Sequence, residues 1–468
     1  IIMLEAALLL FPILTAIVYG EWNTLRVFAG SALFCIVTGA LLRGKKPENT
    51  TIFSVEGYVS VALCWVALSI CGAIPLCVSG VLQNPFDAFF EIVSGFTTTG
   101  SSVMQSVEGA PRAILMWRSF SHWVGGMGVL VFMLALLPMA EPSSMHLMKA
   151  ESPGPSVGKL VPKVRSTAKI LYQIYFVLTV AMLVCMVLTG CPLFDSVNLT
   201  FATAGTGGFG VLDSSAAEYG AATQWVMTIF MILFGVNFNV YFLFYVKRFK
   251  EGMKSEEARA YLGIIASAVL LISVNIFYMV RNLELTVRQA AFQVASIITT
   301  TGFSSVDFDL WPEFSKGILV LLMFCGACAG STGGGFKISR LLILCKAIPK
   351  QLSLVIHPRE VKVIRMDGKP IDHNTLRSTN VYLAIYFFIL LVSTLLISVD
   401  NFNLTTNFTA VASTLNNIGP GLDGVGPTRN FGMYSDFSKF VLMFDMLAGR
   451  LELYPLLILF MPSLWRRK

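Results

Sequence analysis

Charge is what this chain has least of. Asp, Glu, Lys and Arg make up 13% of its 468 residues, about half the share a soluble domain carries. Histidine occurs only 4 times. No HExxH, nucleophile elbow or His/Cys cluster is present, which argues against an enzyme. Walker A and dinucleotide fingerprints are also missing, as is any soluble stretch large enough to fold around a nucleotide. Regulation is therefore expected to come from elsewhere. The first apolar stretch, Ile1 to Tyr19, has neither a basic n-region nor a small-residue cleavage site, and reads as a membrane helix. The 9 cysteines are scattered through apolar segments. Cys325 and Cys328 form a C-x-x-C without the βαβ setting that a redox or metal role requires. The sequons at Asn198 and Asn407 fall at membrane depth, out of reach of glycosylation.

Apolar residues fill the space that charge leaves. They amount to 55% of the chain, with a mean hydropathy of +0.72. Runs of roughly 20 apolar residues, each enough for a transmembrane helix, recur from end to end. The chain reads as an all-α polytopic membrane protein. Its net charge of +7 is not a nucleic-acid footprint, because it collects in particular loops. Arg43, Lys45 and Lys46 form one cluster, and Lys149, Lys159, Lys163, Arg165 and Lys169 a second. Lys247, Arg248, Lys250, Lys254 and Arg259 make a third. The stretch Lys337 to Arg377 and the terminal Arg466, Arg467 and Lys468 complete the set. The positive-inside rule makes all of these cytoplasmic. The intervening loops carry Glu108, Asp213, Glu218, Asp307, Asp309, Glu313, Asp423 and Asp436. As an outer face they would concentrate cations near a mouth.

Basic loops on one side leave two long apolar helices between them, with a shorter apolar segment in the middle. In the second copy these are a helix from about Ser166 to Leu188, then "CPLFDSVNLTFATAGTGGFG", then a helix from about Gln224 to Tyr245. The middle segment is too short to span and too apolar for a surface loop, so it reads as a re-entrant pore helix and loop. The pattern occurs four times, the other segments being "PFDAFFEIVSGFTTTGSSV", "VRQAAFQVASIITTTGFSSVDF" and "TTNFTAVASTLNNIGPGLDG". They register on Gly100, Gly207, Gly302 and Gly419, with Phe89 or Phe90, Phe201, Phe292 and Phe408 about one pore-helix length before. Repetition at this scale sets the fold. Two leading helices (1–50) precede pore repeats over 51–145, 146–250, 251–350 and 351–468, predicted to surround one pore with pseudo-fourfold symmetry. Non-helical backbone at membrane depth has to be buried or line a water-filled path. Four such loops on one axis present carbonyl oxygens that replace the hydration shell of a monovalent cation. The candidate filter is Thr98, Thr99 and Gly100; Gly205, Thr206 and Gly207; Thr300, Thr301 and Gly302; and Asn417, Ile418 and Gly419.

With "TTTG" in two units, "NNIGPG" in the fourth and "GACAGSTGGGF" after the third, the whole chain resembles the Trk/Ktr family of potassium-transporter membrane subunits. The two leading helices and "MKAESPG" place the resemblance in the TrkH branch. The family implies K⁺ uptake through one pore per chain, K⁺ at the filter as the transported ion, and no cofactor in this chain. It also implies a homodimer, a cytosolic nucleotide-binding ring of the TrkA type, and a bacterial inner (plasma) membrane. No TVGYG is present, and the second and fourth loops depart from "TTTG", so the expectation is K⁺ preference with measurable Na⁺ leakage. A secondary transporter coupled to Na⁺ or H⁺ is the competing reading. The parallel orientation of the repeats argues against it, since many such carriers have inverted halves.

Two features interrupt the apolar pattern. "AGSTGGGFK" falls about halfway along the second helix of the third unit, where glycines cost about 1 kcal/mol each relative to alanine. It is not a phosphate-binding loop, because Phe336 separates Gly335 from Lys337. One reading is a mobile gate formed by Gly330, Ser331, Thr332, Gly333, Gly334 and Gly335, which the resemblance favours; the other is close helix packing through small residues. Arg450, about three turns into the last long helix, is the second feature. It is either an electrostatic barrier in the pore, the role the family's "GRLE" arginine implies, or half of an ion pair with Asp445 or Glu452. His122 reads as a packing residue, and Gly125, Gly126 and Gly128 as points of close helix approach. The inner stretch Lys350 to Arg377 reads as the longest cytoplasmic loop and a docking site, with a small hairpin about Asp367-Gly368.

Overall fold

The computed structural model describes residues 1–42, 44, 54–128, 164–360 and 362–466. Arg43, Lys45, Lys46, Lys149, Lys159, Lys163, Arg467 and Lys468 lie outside these residues, as does "MKAESPG".

The described chain is helical apart from one small hairpin. Two short helices, Ile2–Leu8 and Leu10–Val18, run on from one another and are followed by Trp22–Leu41. Four units come next, each built of an outer helix, a pore helix and an inner helix. The outer helices are Ser54–Val78, Val164–Leu188, Glu256–Val280 and His373–Ile397, each of 25 residues. At 1.5 Å per residue such a helix clears a hydrocarbon core of about 30 Å. Val274, Leu391 and Leu395 stay exposed on these helices, as lipid-facing side chains do.

The pore helices are Pro85–Phe96, Leu193–Gly205, Leu283–Ile298 and Leu404–Asn416. Three of them start on an asparagine cap: Asn84 accepts from Phe86 N, Asn282 from Leu285 N and Asn403 from Thr406 N. These caps satisfy amides that would otherwise be orphaned at the start of a buried helix. In the first, proline also occupies the opening position, where its missing N–H costs nothing.

The inner helices differ from expectation. A continuous helix from Gln224 to Tyr245 is not formed; Ala221–Phe234 and Phe238–Tyr245 meet at 87°. The other inner helices also stop short, at Gly126, Met323 and Arg450. Stretches of 11 to 15 residues extend no further than about 22 Å, less than the hydrocarbon thickness. Each inner helix is therefore too short to cross by itself and ends beneath the pore loops.

Past the glycine segment Ile338–Ile356 runs through Lys350, and His373–Ile397 begins before Arg377. The expected long loop is thus only residues 357–372. Within it Arg365–Met366 and Lys369–Pro370 form the hairpin, pairing Arg365 with Pro370 and Met366 with Lys369. The turn uses positive φ at Asp367 and Gly368, as a two-residue type I′ turn demands. The leading helices pack on the first unit, where Phe11 stacks on Phe120 at 4.7 Å between ring centroids.

Candidate ion-conduction site

All four pore helices end in the same hydrogen-bond pattern. The N–H groups of Thr98, Thr206, Thr300 and Asn417 donate to the carbonyls of Gly95, Thr203, Ile297 and Thr414 at 3.0–3.2 Å. Those of Thr99, Gly207, Thr301 and Ile418 donate to Ser94, Ala202, Ser296 and Ser413 at 2.8–2.9 Å. This paired closure is a Schellman end, whose turning residue is usually glycine. Here it is threonine three times and asparagine once, at φ of 55° to 60°. A β-branched residue in the left-handed region is an outlier that persists only where its surroundings enforce it, a hallmark of functional sites.

The pattern corrects the register of the second loop. Gly100, Gly302 and Gly419, each two residues past the turn, have φ of 80°, 86° and 109°; their counterpart is Gly208, at 83°, and not Gly207. The second triplet is therefore Thr206, Gly207 and Gly208, with Gly205 one place before the turn. Two adjacent glycines left the sequence ambiguous by one position.

The registered glycines close a ring. A Cβ on Gly100 would overlap the carbonyl oxygen of Gly207, one on Gly208 that of Thr301, and one on Gly302 that of Ile418. A Cβ on Gly419 would meet Thr99 O at 3.0 Å. Each unit's glycine thus seats the carbonyl of the next, in the order first, second, third, fourth and back to first. Above the ring lies a cavity of about 190 Å³, lined by all four glycines and by Arg118 and Asp213. Its walls interlock between units: Asp213 accepts from Ser106 Oγ at 2.6 Å and Val107 N at 2.6 Å.

Side chains behind the ring stiffen it. Thr97 and Thr99 share a hydroxyl hydrogen bond of 2.8 Å, and Thr299 and Thr301 one of 2.7 Å. Asn417 Nδ2 donates to Thr99 Oγ1 and to Met446 O, both at 2.9 Å. The second unit has glycines at both threonine positions, and His122 takes up the space. A Cβ on Gly207 would land on its imidazole, and one on Gly205 on its backbone. His122 Nε2 accepts from Phe209 N at 3.3 Å while Nδ1 lies 2.7 Å from Gly95 O, which fixes a neutral ring with its proton on Nδ1. Packing was expected of this histidine; direct support of the filter backbone was not. Gly125 and Gly126 approach closely as anticipated, since a Cβ on them would strike Phe96 O and Gly205 Cα.

A buried ion pair braces the first unit. Arg118 and Glu91 lie 2.7 Å apart with side chains 2% and 0% exposed. Glu91 also accepts from Ser102 Oγ at 2.9 Å and Val103 N at 2.9 Å, just past the filter. The Arg118 guanidinium lies 4.0 Å from the centroid of Phe209, tying the first unit to the second. Neither residue was singled out from sequence, because 27 positions and the whole filter loop separate them.

Beneath the ring, the glycine segment leaves the helix as anticipated: residues 324–337 connect Glu313–Met323 to Ile338–Ile356. Gly334 N donates to Thr300 Oγ1 at 2.6 Å. A Cβ on Gly333 would sit 2.9 Å from Thr299 O, and one on Gly334 2.6 Å from Asn416 O. The loop therefore presses on the inner ends of the third and fourth filter loops. On its other side it docks on the broken inner helix of the second unit. There Phe238 N donates to Gly330 O at 2.9 Å, Cys328 N to Gly235 O at 3.1 Å and Thr332 Oγ1 to Phe234 O at 3.2 Å. Buried Lys337 donates Nζ to Gly333 O within the loop.

Arg450 stands at the last position of its helix, since the chain turns through positive φ at Glu452 and Leu453. Nη1 donates to Thr332 O at 3.0 Å, and Nη2 to Gly125 O and to Gly126 O at 2.6 Å. The guanidinium thus bridges the glycine loop and the broken end of the first unit's inner helix. The two carboxylates considered as its partners bond elsewhere: Glu452 to Arg340 and Asp445 to Ser393 Oγ at 2.8 Å.

A family model described as TrkH, cation transport protein, matches residues 24–467. The chain belongs to this family. The Trk system potassium uptake protein TrkH of Salmonella typhimurium is 34% identical over 476 residues, covering 100% of this chain and 97% of that protein. The TrkH of Vibrio parahaemolyticus is 36% identical over 427 residues, covering 88% and 86%. The crystal structure of the potassium transporter TrkH from Vibrio parahaemolyticus matches with a TM-score of 0.89 at 31% identity, covering 99% of this chain and 97% of that one. This TrkH-family chain is accordingly a multi-pass membrane transport protein and not an enzyme. Among the described residues, five helices are long and apolar enough to cross a membrane, or six if the bent pair is counted as one span.

Proposed function

We propose that this chain takes up K⁺ across a bacterial inner membrane through the ring of four pore loops. The observation that carries the reading is the ring itself. Four Schellman-ended loops, each seating the next unit's carbonyl, hold polar backbone at membrane depth, where only a buried or ion-lining role is tolerated. Thr98, Thr99 and Gly100, Thr206, Gly207 and Gly208, Thr300, Thr301 and Gly302, and Asn417, Ile418 and Gly419 form the filter. With three threonine turns and one asparagine it lacks full symmetry, and it passes K⁺ with measurable Na⁺ leakage. The relatives named potassium uptake proteins support the choice of cargo.

Gly330 to Gly335 act as the gate. Their contact with Thr300 at the inner end of the filter supports a plug. Arg450 is the barrier, a fixed cation below the filter that also latches the closed loop. Two chains form a homodimer, and the exposed apolar stripe of Ile348, Leu352, Val355 and Ile356 supports pairing on the cytoplasmic side. A cytosolic nucleotide-binding ring of the TrkA type supplies the control this chain lacks.

The test is Rb⁺ uptake into liposomes holding this chain, with K⁺, Na⁺ or Li⁺ competing outside, before and after removal of residues 330–335. Block by K⁺ far better than by Li⁺, and faster uptake after the deletion, are the expected results. A folded deletion variant that remains closed would favour a coupled carrier.

A further inference from the structure

One charged cluster lies outside the filter, gate and barrier. Glu257 is buried in the first turn of the third unit's outer helix. Its Oε1 accepts from Ala329 N at 2.7 Å and Ser339 N at 3.1 Å, two amides that flank the glycine loop. Its Oε2 accepts from Asn237 Nδ2 at 3.3 Å, at the break in the second unit's inner helix where the loop docks. One carboxylate thus draws both ends of the loop, and the helix end it rests on, to a single point.

That point is tied to the cytoplasmic surface through the neighbouring residue. Glu256 N donates to Asp367 Oδ1 at 2.7 Å, so the hairpin turn caps the helix that carries Glu257. The Glu256 carboxylate pairs with Lys346, on the helix that leaves the loop, and Lys346 Nζ also donates to Arg365 O at 2.8 Å. The amides of a helix's first turn have no partners within the helix, and a carboxylate there is favoured by the dipole as well as by the bond. A continuous set of charge-assisted bonds therefore runs from an exposed hairpin through one helix turn to both ends of the loop.

We propose that Glu257 is the positioning residue for the gate loop, and that the hairpin Arg365–Pro370 is the cytosolic handle that sets it. The inference rests on the gate reading above. Displacing the hairpin shifts the first turn of the outer helix, moves Glu257 away from Ala329 and Ser339, and releases both ends of the loop together.

Rb⁺ uptake by the full chain in liposomes tests this with Asp367→Gly, Glu257→Gln and the 330–335 deletion, alone and combined. Glycine keeps the two-residue turn but removes the acceptor, and Asp367 is exposed, so this variant folds. Losing a cap of this kind shifts an equilibrium about fivefold, and uptake should rise by that factor. Glu257→Gln, which loses charge-assisted bonds to two amides, should raise it about tenfold or more. Neither should add to the deletion. If the deletion raises uptake while Asp367→Gly and Glu257→Gln match the parent, the handle is overturned and the gate stands. If the deletion leaves uptake unchanged, the gate fails and the handle with it. Should Glu257→Gln not fold, Asp367→Gly against the deletion decides alone.

Discussion

The exchange of His122 and Gly207 probes both the register of the second loop and the role of the histidine. Gly207→Thr places a Cβ on the imidazole, and overpacking of this kind costs about 1–3 kcal/mol. His122→Ala opens a void and orphans the Phe209 N–H, which now donates to Nε2; an unpaired buried donor costs about 1–3 kcal/mol before any cavity term. In the double variant the threonine enters the vacated space, as Thr99 and Thr301 occupy theirs. We expect the pair to recover about 1.5 kcal/mol or more over the sum of the single changes, within the range measured for residues in contact. Graded heating in detergent, followed by the fraction still monodisperse, reads the stability of all four chains. Paired Rb⁺ and Na⁺ uptake reads whether the filter survives. Gly205→Ala is the control: its Cβ meets the His122 backbone, so His122→Ala should not relieve it. A double variant no better than the sum would refute the register and the space-filling role together.

On the proposed barrier role, removing the Arg450 charge with Arg450→Ala should increase cation conductance, read as current at a fixed gradient, as the bond to Thr332 O is lost with it. Current unchanged in folded protein would leave Arg450 a structural residue. Arg118→Met strands Glu91 as a buried unpaired charge and should cost about 3–5 kcal/mol, seen as aggregation at lower temperature. Adding Glu91→Leu should restore much of the stability but lower the K⁺ over Na⁺ preference, because the bonds from Ser102 and Val103 are lost with the carboxylate; tenfold in selectivity is about 1.4 kcal/mol.

The units were legible because each pore segment carries its own signals: an apolar stretch too short to span, an aromatic within it, and a glycine after it. The Asp367-Gly368 turn was legible for the same local reason. What escaped depends on distance or on backbone angles that composition hides. "FGVNFN" and "GRLELYP" look helix-compatible, and only the observed geometry at Gly235 to Asn237 and at Glu452 and Leu453 reveals the breaks. Gly208 was missed beside Gly207 because either glycine fits the spacing, and only the positive φ of Gly208 separates them. The contacts of Arg450 come from two other units, and those of Glu257 from the loop and the second unit, so no window of sequence holds them together.

The closed ring also bears on how the protein is made. Its last joint sets Asn417 against Thr99, 318 positions apart, and brings Gly419 up to the Thr99 carbonyl. Until the fourth pore loop has left the ribosome and entered the membrane, three loops form an open crescent with unpaired polar backbone facing its gap. Such backbone is costly in lipid, and partly assembled intermediates of this kind are where misfolding begins. A chain whose fourth loop has yet to form therefore leaves the ring open between Gly302 and Thr99. The ring closes in a single step, when the fourth unit locks the other three in place.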